Sequence, residues 1–410
     1  MDSDKKCEFL IIGGGIVGLS IAFQLFSRQI SKRIIIIDKE KELGLHSSGR
    51  NSGVLHAGLY YKPGSLKAKV CVKGSQRLKN WIIDHKISLN KCGKVIVPNK
   101  YHLDKQIDIL AERGRANGAE VQIIDEKQLR EIVPEAVTAS GRAIWSPNTA
   151  VVKPIEVINK LKLELKQLGV EIFTSISEWK VDIHDKKIQL NNNYSIYYDH
   201  VINSAGLNAD KVAHAFDVGK NYRLMPFKGI YWQIKKSSKI KIKTNLYPVP
   251  DLDLPFLGVH FTPNTDPLPK VSIGPTASLA FGRENYKNLD NLEFIMSIKN
   301  ISMVSKLYLF NRGGFRRYFH EQALLYVPNL FFKAAKELIP SLRYEDIEKS
   351  NKVGIRSQLL DIEREKLVDD FLCLDGPSST HLLNSISPSF TASFEFADYV
   401  LDLILKKINN

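Results

Sequence analysis

Cysteine is scarce in this sequence of 410 residues: Cys7, Cys71, Cys92 and Cys373 lie far apart, and none forms a C-x-x-C pair. A disulfide framework or a zinc knuckle is therefore not expected, and the thiols fit a reducing cytoplasm. Acidic residues are also in deficit, 44 Asp and Glu against 58 Lys and Arg, which leaves a formal net charge of +14. Such a surface attracts anions, whether nucleic acid, anionic lipid or acidic metabolites. A lysine-rich background composition gives the same balance, so charge alone selects no partner. Internal repeats and low-complexity linkers are absent. The length suggests two or three domains at about 100–200 residues each.

Long apolar runs are lacking too, with one exception from Cys7 to Phe26. Glu8 and Gln24 interrupt that run, and Gly13, Gly14, Gly15 and Gly18 weaken any continuous helix. No small-residue cleavage site follows it, so it is read neither as a membrane anchor nor as a signal peptide. It predicts a buried strand Phe9–Ile12, a glycine turn, a helix from about Ile16 to Ser27, and a second buried strand Ile34–Ile37 ending at Asp38.

That parse puts Gly13-x-Gly15-x-x-Gly18 where a dinucleotide-binding turn belongs. Gly13 permits the tight turn, Gly15 lets backbone approach a pyrophosphate, and Gly18 lets the helix pack on the strand. Backbone N–H groups of Ile16 and Val17 at the helix start face the phosphates. Asp38 stands at the spacing of the acid that accepts hydrogen bonds from a ribose, with Lys39 beside it. Nicotinamide and flavin dinucleotides share this fingerprint.

Further along, helices are predicted over Leu66–Ile87, Asp104–Asn117, Ile155–Leu168 and Ala392–Lys407. A second turn after a strand, Asn203-Ser204-Ala205-Gly206, suggests a return to the nucleotide sheet. Short alternating stretches between Tyr222 and Pro275, including Phe256–Phe261, argue an antiparallel sheet. The expected organisation is α/β, α+β overall. A discontinuous Rossmann-like dinucleotide domain (1–90, 145–220, 350–410) carries an inserted antiparallel-sheet substrate domain (91–144, 221–349).

Three constellations offer chemistry. The loop from Ser47 to Tyr61 packs small residues, with Ser47, Ser48, Arg50, Asn51 and Ser52 as donors around a flat ring. His56 within it is the titratable group suited to accept an alcohol proton near neutral pH. Near the other end, Ser387-Pro388-Ser389 opens a helix whose N-terminus would face the N1–C2=O edge of a reduced flavin. Lys228, His260, Arg283 and Arg356 are the cations available to a carboxylate substrate, arginine's planar fork suiting bidentate binding.

The stretches GRNSGVLHAGLYYKPGSLKAK, KCGKVIVP, YPVPD, PFLGVHFT, IGPTASLAF, GIRSQ and LVDDF resemble the FAD-dependent L-2-hydroxyglutarate dehydrogenase/oxidase family of D-amino-acid-oxidase-like flavoproteins. The resemblance implies FAD as cofactor and oxidation of an L-2-hydroxy diacid to its 2-oxo acid. It also implies electron delivery to a membrane quinone or another acceptor. By the same resemblance His56 is the flavin-proximal histidine. Gly13, Gly15, Gly18, Asp38, Val181, Ala205 and Gly206 contact FAD, Arg356 precedes the last flavin strand, and His260 and Arg283 lie on the substrate face. Tyr60 and Tyr61 join the carboxylate anchors. The sequence departs from the family pattern at Arg50, Lys228 and Ile386.

Other flavin enzymes of the superfamily, acting on an amino acid or glycerol 3-phosphate, remain alternatives. A flavin-containing RNA-binding protein is a further one, but no nucleic-acid module is present and no nucleic-acid partner is expected. Phe294 to His320 holds Lys299, Lys306, Arg312, Arg316 and Arg317 with interleaved aromatics and no acid. That mixture suits a lipid headgroup region or a solvated helical face. The expected location is cytoplasmic, with peripheral contact at the inner face of the cell membrane left open.

Overall fold

The computed structural model describes residues 3–190, 194–250, 258–266, 270–288 and 290–408. The Asp251–Leu257 part of the expected Phe256–Phe261 region and of the YPVPD and PFLGVHFT stretches lies outside them. Strand β1 (Lys5–Ile12), helix α1 (Ile16–Ser27) and strand β2 (Ile34–Ile37) form as the hydrophobic pattern requires. Side chains alternate along β1. Phe9 and Ile11 join a core with α1 and the C-terminal helix Ser393–Ile408, while Leu10 and Ile12 join a second core on the opposite face. A strand buried on both faces reads as a continuous apolar run, and such strands pair in parallel. β1 does so, with β2 on one side and Ser195–Asn203 on the other, inside an eight-stranded sheet.

A second sheet of nine strands stands beside it, built from Lys94–Val97, Gln122–Asp125 and Arg142–Ser146 together with strands between Phe227 and Arg356. It is antiparallel except for one pair, Asn245–Pro248 with Lys94–Val97, which is parallel. The chain leaves Lys94–Val97 and comes back to it only after a long excursion, so no hairpin forces the antiparallel sense. The face of this sheet turned from the first domain is covered by helix Pro328–Lys336, with Phe331 and Ala335 packed on Leu246, Phe261 and Ile273. The opposite face looks onto the cavity described next.

Candidate active site

The glycine turn is built for close approach. Gly13 has φ +108°, a left-handed conformation, and a Cβ on Gly18 would fall 2.1 Å from the Gly13 carbonyl oxygen. Asp38 secures the turn by accepting the Gly14 N–H at 2.7 Å on Oδ2. The second turn sits on the first: Ser204 Oγ donates to the Gly13 carbonyl at 2.9 Å, and the Ala205 N–H donates to Asn203 Oδ1 at 3.1 Å. Gly15, at the N-cap of α1, offers no side chain, and the first turn holds no acid; Ser48 Oγ accepts the Ile16 N–H at 3.0 Å, so no charged group of the chain offsets the helix's positive end.

From these turns a cavity of about 490 Å³ runs between the two sheets. Gly15, Ile16, Val17, Ser47, Ser48 and Gly206 line the end at the two glycine turns. Arg50, Asn51 and Ser52 follow, then Ser387, Pro388 and Ser389. Ser47 Oγ donates to the Ile355 carbonyl at 2.9 Å, and Asn51 accepts the Gly53 N–H at 2.8 Å, so this loop is tied to the strand that carries Arg356. Arg50 lays its guanidinium over the Tyr286 ring, 4.1 Å from the centroid.

His56, Tyr60, Tyr61, His260 and Arg356 line the other end. Two contacts fix the backbone of His56: its N–H donates to Thr391 Oγ1 at 3.1 Å, and its carbonyl accepts the Cys71 thiol at 3.7 Å. The ring Nε2 lies 3.4 Å from Ser387 Oγ, while Nδ1 is buried with no hydrogen-bond partner among the described residues. Burial first, then the charge of Lys94, holds this imidazole well below its ordinary value of 6.5. His260 is pushed down to about 4, chiefly by burial, and its Nδ1–H donates to the Gly258 carbonyl at 2.8 Å. Both rings are therefore neutral at pH 7.

Strand alternation decides which cations reach the cavity. On Phe227–Ile234 the residues Phe227, Gly229 and Tyr231 line it, and Arg356 and Gly354 on the neighbouring strand pair with Phe227 and Gly229. Lys228 is one residue out of phase and does not line the cavity. Its assignment as a substrate anchor is corrected on that ground. Arg283 is corrected as well. It is 5% exposed and held by Asp210 through Nη1–Oδ1 at 2.5 Å and Nη2–Oδ2 at 2.9 Å, away from the cavity lining. Its fork already has a carboxylate.

Val181 is placed on Trp179–Asp182, the end strand of the first sheet's ladder, packed with the core under Leu10. The backbone running past Asp38 is Phe173–Ile176 instead, where Ile176 N–H donates to the Asp38 carbonyl at 2.9 Å. Lys39 does not line the cavity either; its ammonium pairs with Glu284 at 2.7 Å and with Glu40.

Several lining residues escaped the sequence reading: Lys67, Arg113, Tyr231 and Tyr247. Lys67 is 8% exposed and donates to the Asp369 carbonyl at 2.5 Å. Burial and the neighbouring Arg356 push it down to about 7. The one signal for it was its place in a helix whose face turns apolar, too local to set it apart from the exposed lysines nearby.

A sequence model of the family described as FAD dependent oxidoreductase matches residues 8–401. The chain is 35% identical over 431 residues to the mitochondrial L-2-hydroxyglutarate dehydrogenase of Nematostella vectensis, covering 98% of this chain and 91% of that protein. It is 35% identical to the L-2-hydroxyglutarate dehydrogenase of Indibacter alkaliphilus, covering 98% and 99%. In fold it resembles the L-α-glycerophosphate oxidase of Mycoplasma pneumoniae with FAD bound, with a TM-score of 0.74 at 20% identity over 97% of this chain and 94% of that one. The glycine oxidase of Geobacillus kaustophilus gives a TM-score of 0.72 at 14% identity over 98% and 95%.

The residues fit FAD on their own terms. A Cβ at Gly15 would meet Ser48 Oγ at 2.8 Å, so the turn stays free of side chains where a phosphate would approach the uncharged start of α1, and the small-residue loop beyond leaves room for a flat ring. A match that begins in β1 and ends in the last helix takes in both sheets and the cavity between them, and the chain belongs to the FAD-dependent oxidoreductase family.

Proposed function

We propose that this protein oxidises L-2-hydroxyglutarate, or a closely related L-2-hydroxy diacid, to the 2-oxo acid. The observation that carries this reading is the charge of the cavity. Among the described residues, Arg50, Lys67, Arg113 and Arg356 line it against a single acid, Asp369, whose carboxylate turns outward to Lys366 at 3.4 Å. A dianion suits such a lining; an amine does not. The chemistry that bound FAD would supply is a hydride acceptor for the alcohol carbon. The chain supplies the rest. Arg356 with Lys67 anchors one carboxylate, and Tyr60, Tyr61 and His260 bound the space for the remainder. His56 accepts the hydroxyl proton at Nε2, a contribution of about 10²–10⁴ in rate for a placed base.

A base must be unprotonated to act. With its pKa below 6.5, His56 stays neutral through physiological pH, so the rate of flavin reduction at saturating substrate should hold from pH 8 down to 6.5 and fall only below that. An acid limb centred above pH 7 would contradict this. The substrate is tested by steady-state turnover on a panel: L- and D-2-hydroxyglutarate, L-amino acids and glycerol 3-phosphate. The L-hydroxy diacid is expected to give the highest kcat/KM. Preference for glycerol 3-phosphate would turn the same cations into a phosphate site.

We propose that the electrons pass on to a quinone or another acceptor, at a membrane surface. No helix among the described residues is long and apolar enough to cross a bilayer. Helix Phe294–Leu309 nevertheless exposes Phe294 (78%), Ile295 (71%), Ile298 and Leu309, next to exposed Lys299, Arg312 and Arg316. Exposed apolar side chains beside exposed cations, of which Arg312 has Glu365 at 4.0 Å, suit an anionic lipid surface, each basic residue contributing about 1 kcal/mol there. Co-sedimentation with phosphatidylglycerol vesicles should be strong at low salt, weaker at high salt, and lost in Phe294→Glu/Ile295→Glu. No sedimentation at low salt would remove the membrane from the account.

A further inference from the structure

Lys94 opens the strand Lys94–Val97 and is fully buried, yet its ammonium has no hydrogen-bond partner among the described residues. A lone buried ammonium is costly, so such groups are normally paired. Here the neighbours are aromatic. Nζ stands 4.4 Å from the centroid of the Tyr247 ring and 5.0 Å from that of Tyr60, and Tyr247 stacks on His260 at 3.9 Å. Opposite it on the flanking strands are the uncharged Ser146 and Asn245. Tyr60, Tyr247 and His260 all line the cavity, so Lys94 lies one ring behind its wall.

The titratable groups around it are Cys71 from helix Leu66–Asp84, Cys92 from the preceding loop, the two tyrosines, His56 and His260. Burial pushes Cys71 up to about 12 and Cys92 up to about 11, and the tyrosines rise as well. Both histidines fall well below neutrality. Lys94, pushed down to about 7 by the same burial, is the member of this cluster that ionises near neutral pH.

We propose that Lys94 is the positioning charge for the second carboxylate of the substrate: from behind the Tyr60 and Tyr247 rings it draws that carboxylate to this end of the cavity, and diacid binding fixes a proton on it. This rests on the diacid reading above. Coupling between ligand and proton is reciprocal. A dianion beside the cluster favours the ammonium, so binding takes up a proton and affinity falls as pH rises past neutrality. Lys67, also at about 7, contributes in the same direction from the Arg356 end.

The test uses FAD-loaded protein with glutarate, a diacid that cannot be oxidised at C2, and butyrate as its monoacid counterpart. Affinities are read from the perturbed flavin absorbance, and proton uptake from calorimetry at pH 7.5 in two buffers of different ionisation enthalpy. Glutarate is expected to take up about 0.7 proton on Lys94 in addition to any share of Lys67. Lys94→Met should remove that uptake and weaken glutarate about 30-fold or more, with butyrate changed by less than about threefold. Lys67→Met should retain the Lys94 share. Unchanged uptake and an unchanged glutarate-to-butyrate ratio in Lys94→Met would overturn the proposal.

Should that variant not hold FAD, Lys94→Gln takes its place. The wild type also decides alone, because uptake below about 0.2 proton per glutarate overturns the proposal. If L-2-hydroxyglutarate still bleaches the wild-type flavin in that case, only the role of Lys94 falls. Absence of bleaching would bring down the diacid reading itself.

Discussion

His56→Ala is expected to slow the single-turnover bleaching of bound flavin by L-2-hydroxyglutarate by about 10²–10⁴-fold, with FAD still bound. The alcohol is a very weak acid until its carbon begins to lose the hydride, so the proton needs an acceptor at the moment of transfer. Nε2 of His56 faces the cavity beside Ser387 and is neutral at the working pH. The neighbouring tyrosines cannot substitute, since burial holds both hydroxyls far above their ordinary value and protonated. The imidazole hangs from backbone contacts to Thr391 and Cys71 that alanine retains, which separates loss of the base from loss of the fold. Added imidazole should restore part of the rate. A loss smaller than about tenfold would remove His56 from this role.

The second large effect falls on stability. Asp210→Asn is expected to destabilise the protein by about 3 kcal/mol, because it removes the buried two-point carboxylate from the Arg283 guanidinium and leaves only the more exposed Glu293 at 3.5 Å. The same carboxylate also accepts the Leu224 N–H at 2.9 Å, and Arg283 donates to the Leu207 carbonyl, so the pair pins the turn after Asn203 to the short strand Tyr222–Leu224 that precedes the second sheet's Phe227–Ile234. Denaturant unfolding followed by flavin release checks the magnitude. The KM of the folded fraction should change by less than about threefold, since neither side chain lines the cavity. A large rise in KM with unchanged stability would return Arg283 to the substrate site.

The contrast between these residues shows where the sequence is readable. The β1–α1–β2 unit is local: apolar runs of strand length, glycines at fixed spacing and a terminal acid all lie within 30-odd residues, and each acts on its neighbours. His56 and its loop were legible for the same reason. Arg283 was not, because the acid that neutralises it stands 73 residues earlier and meets it only in the folded chain. Lys228 failed through phase: a strand shows its period in the sequence but not which of its faces will look onto a site. Lys94 and Tyr247 come together through a parallel pairing of strands about 150 residues apart, for which no short-range signal exists. Val181, given as a cofactor contact by the resemblance alone, stands on Trp179–Asp182, while Phe173–Ile176 runs past Asp38. Only backbone hydrogen bonds choose between them.

The most direct measurement is an anaerobic titration of the purified, FAD-loaded protein with L-2-hydroxyglutarate, followed by the visible absorbance band of the oxidised flavin. The account requires stoichiometric loss of that band with the L-enantiomer and none with the D-enantiomer. A flavin that stays oxidised in the presence of excess L-2-hydroxyglutarate would contradict it.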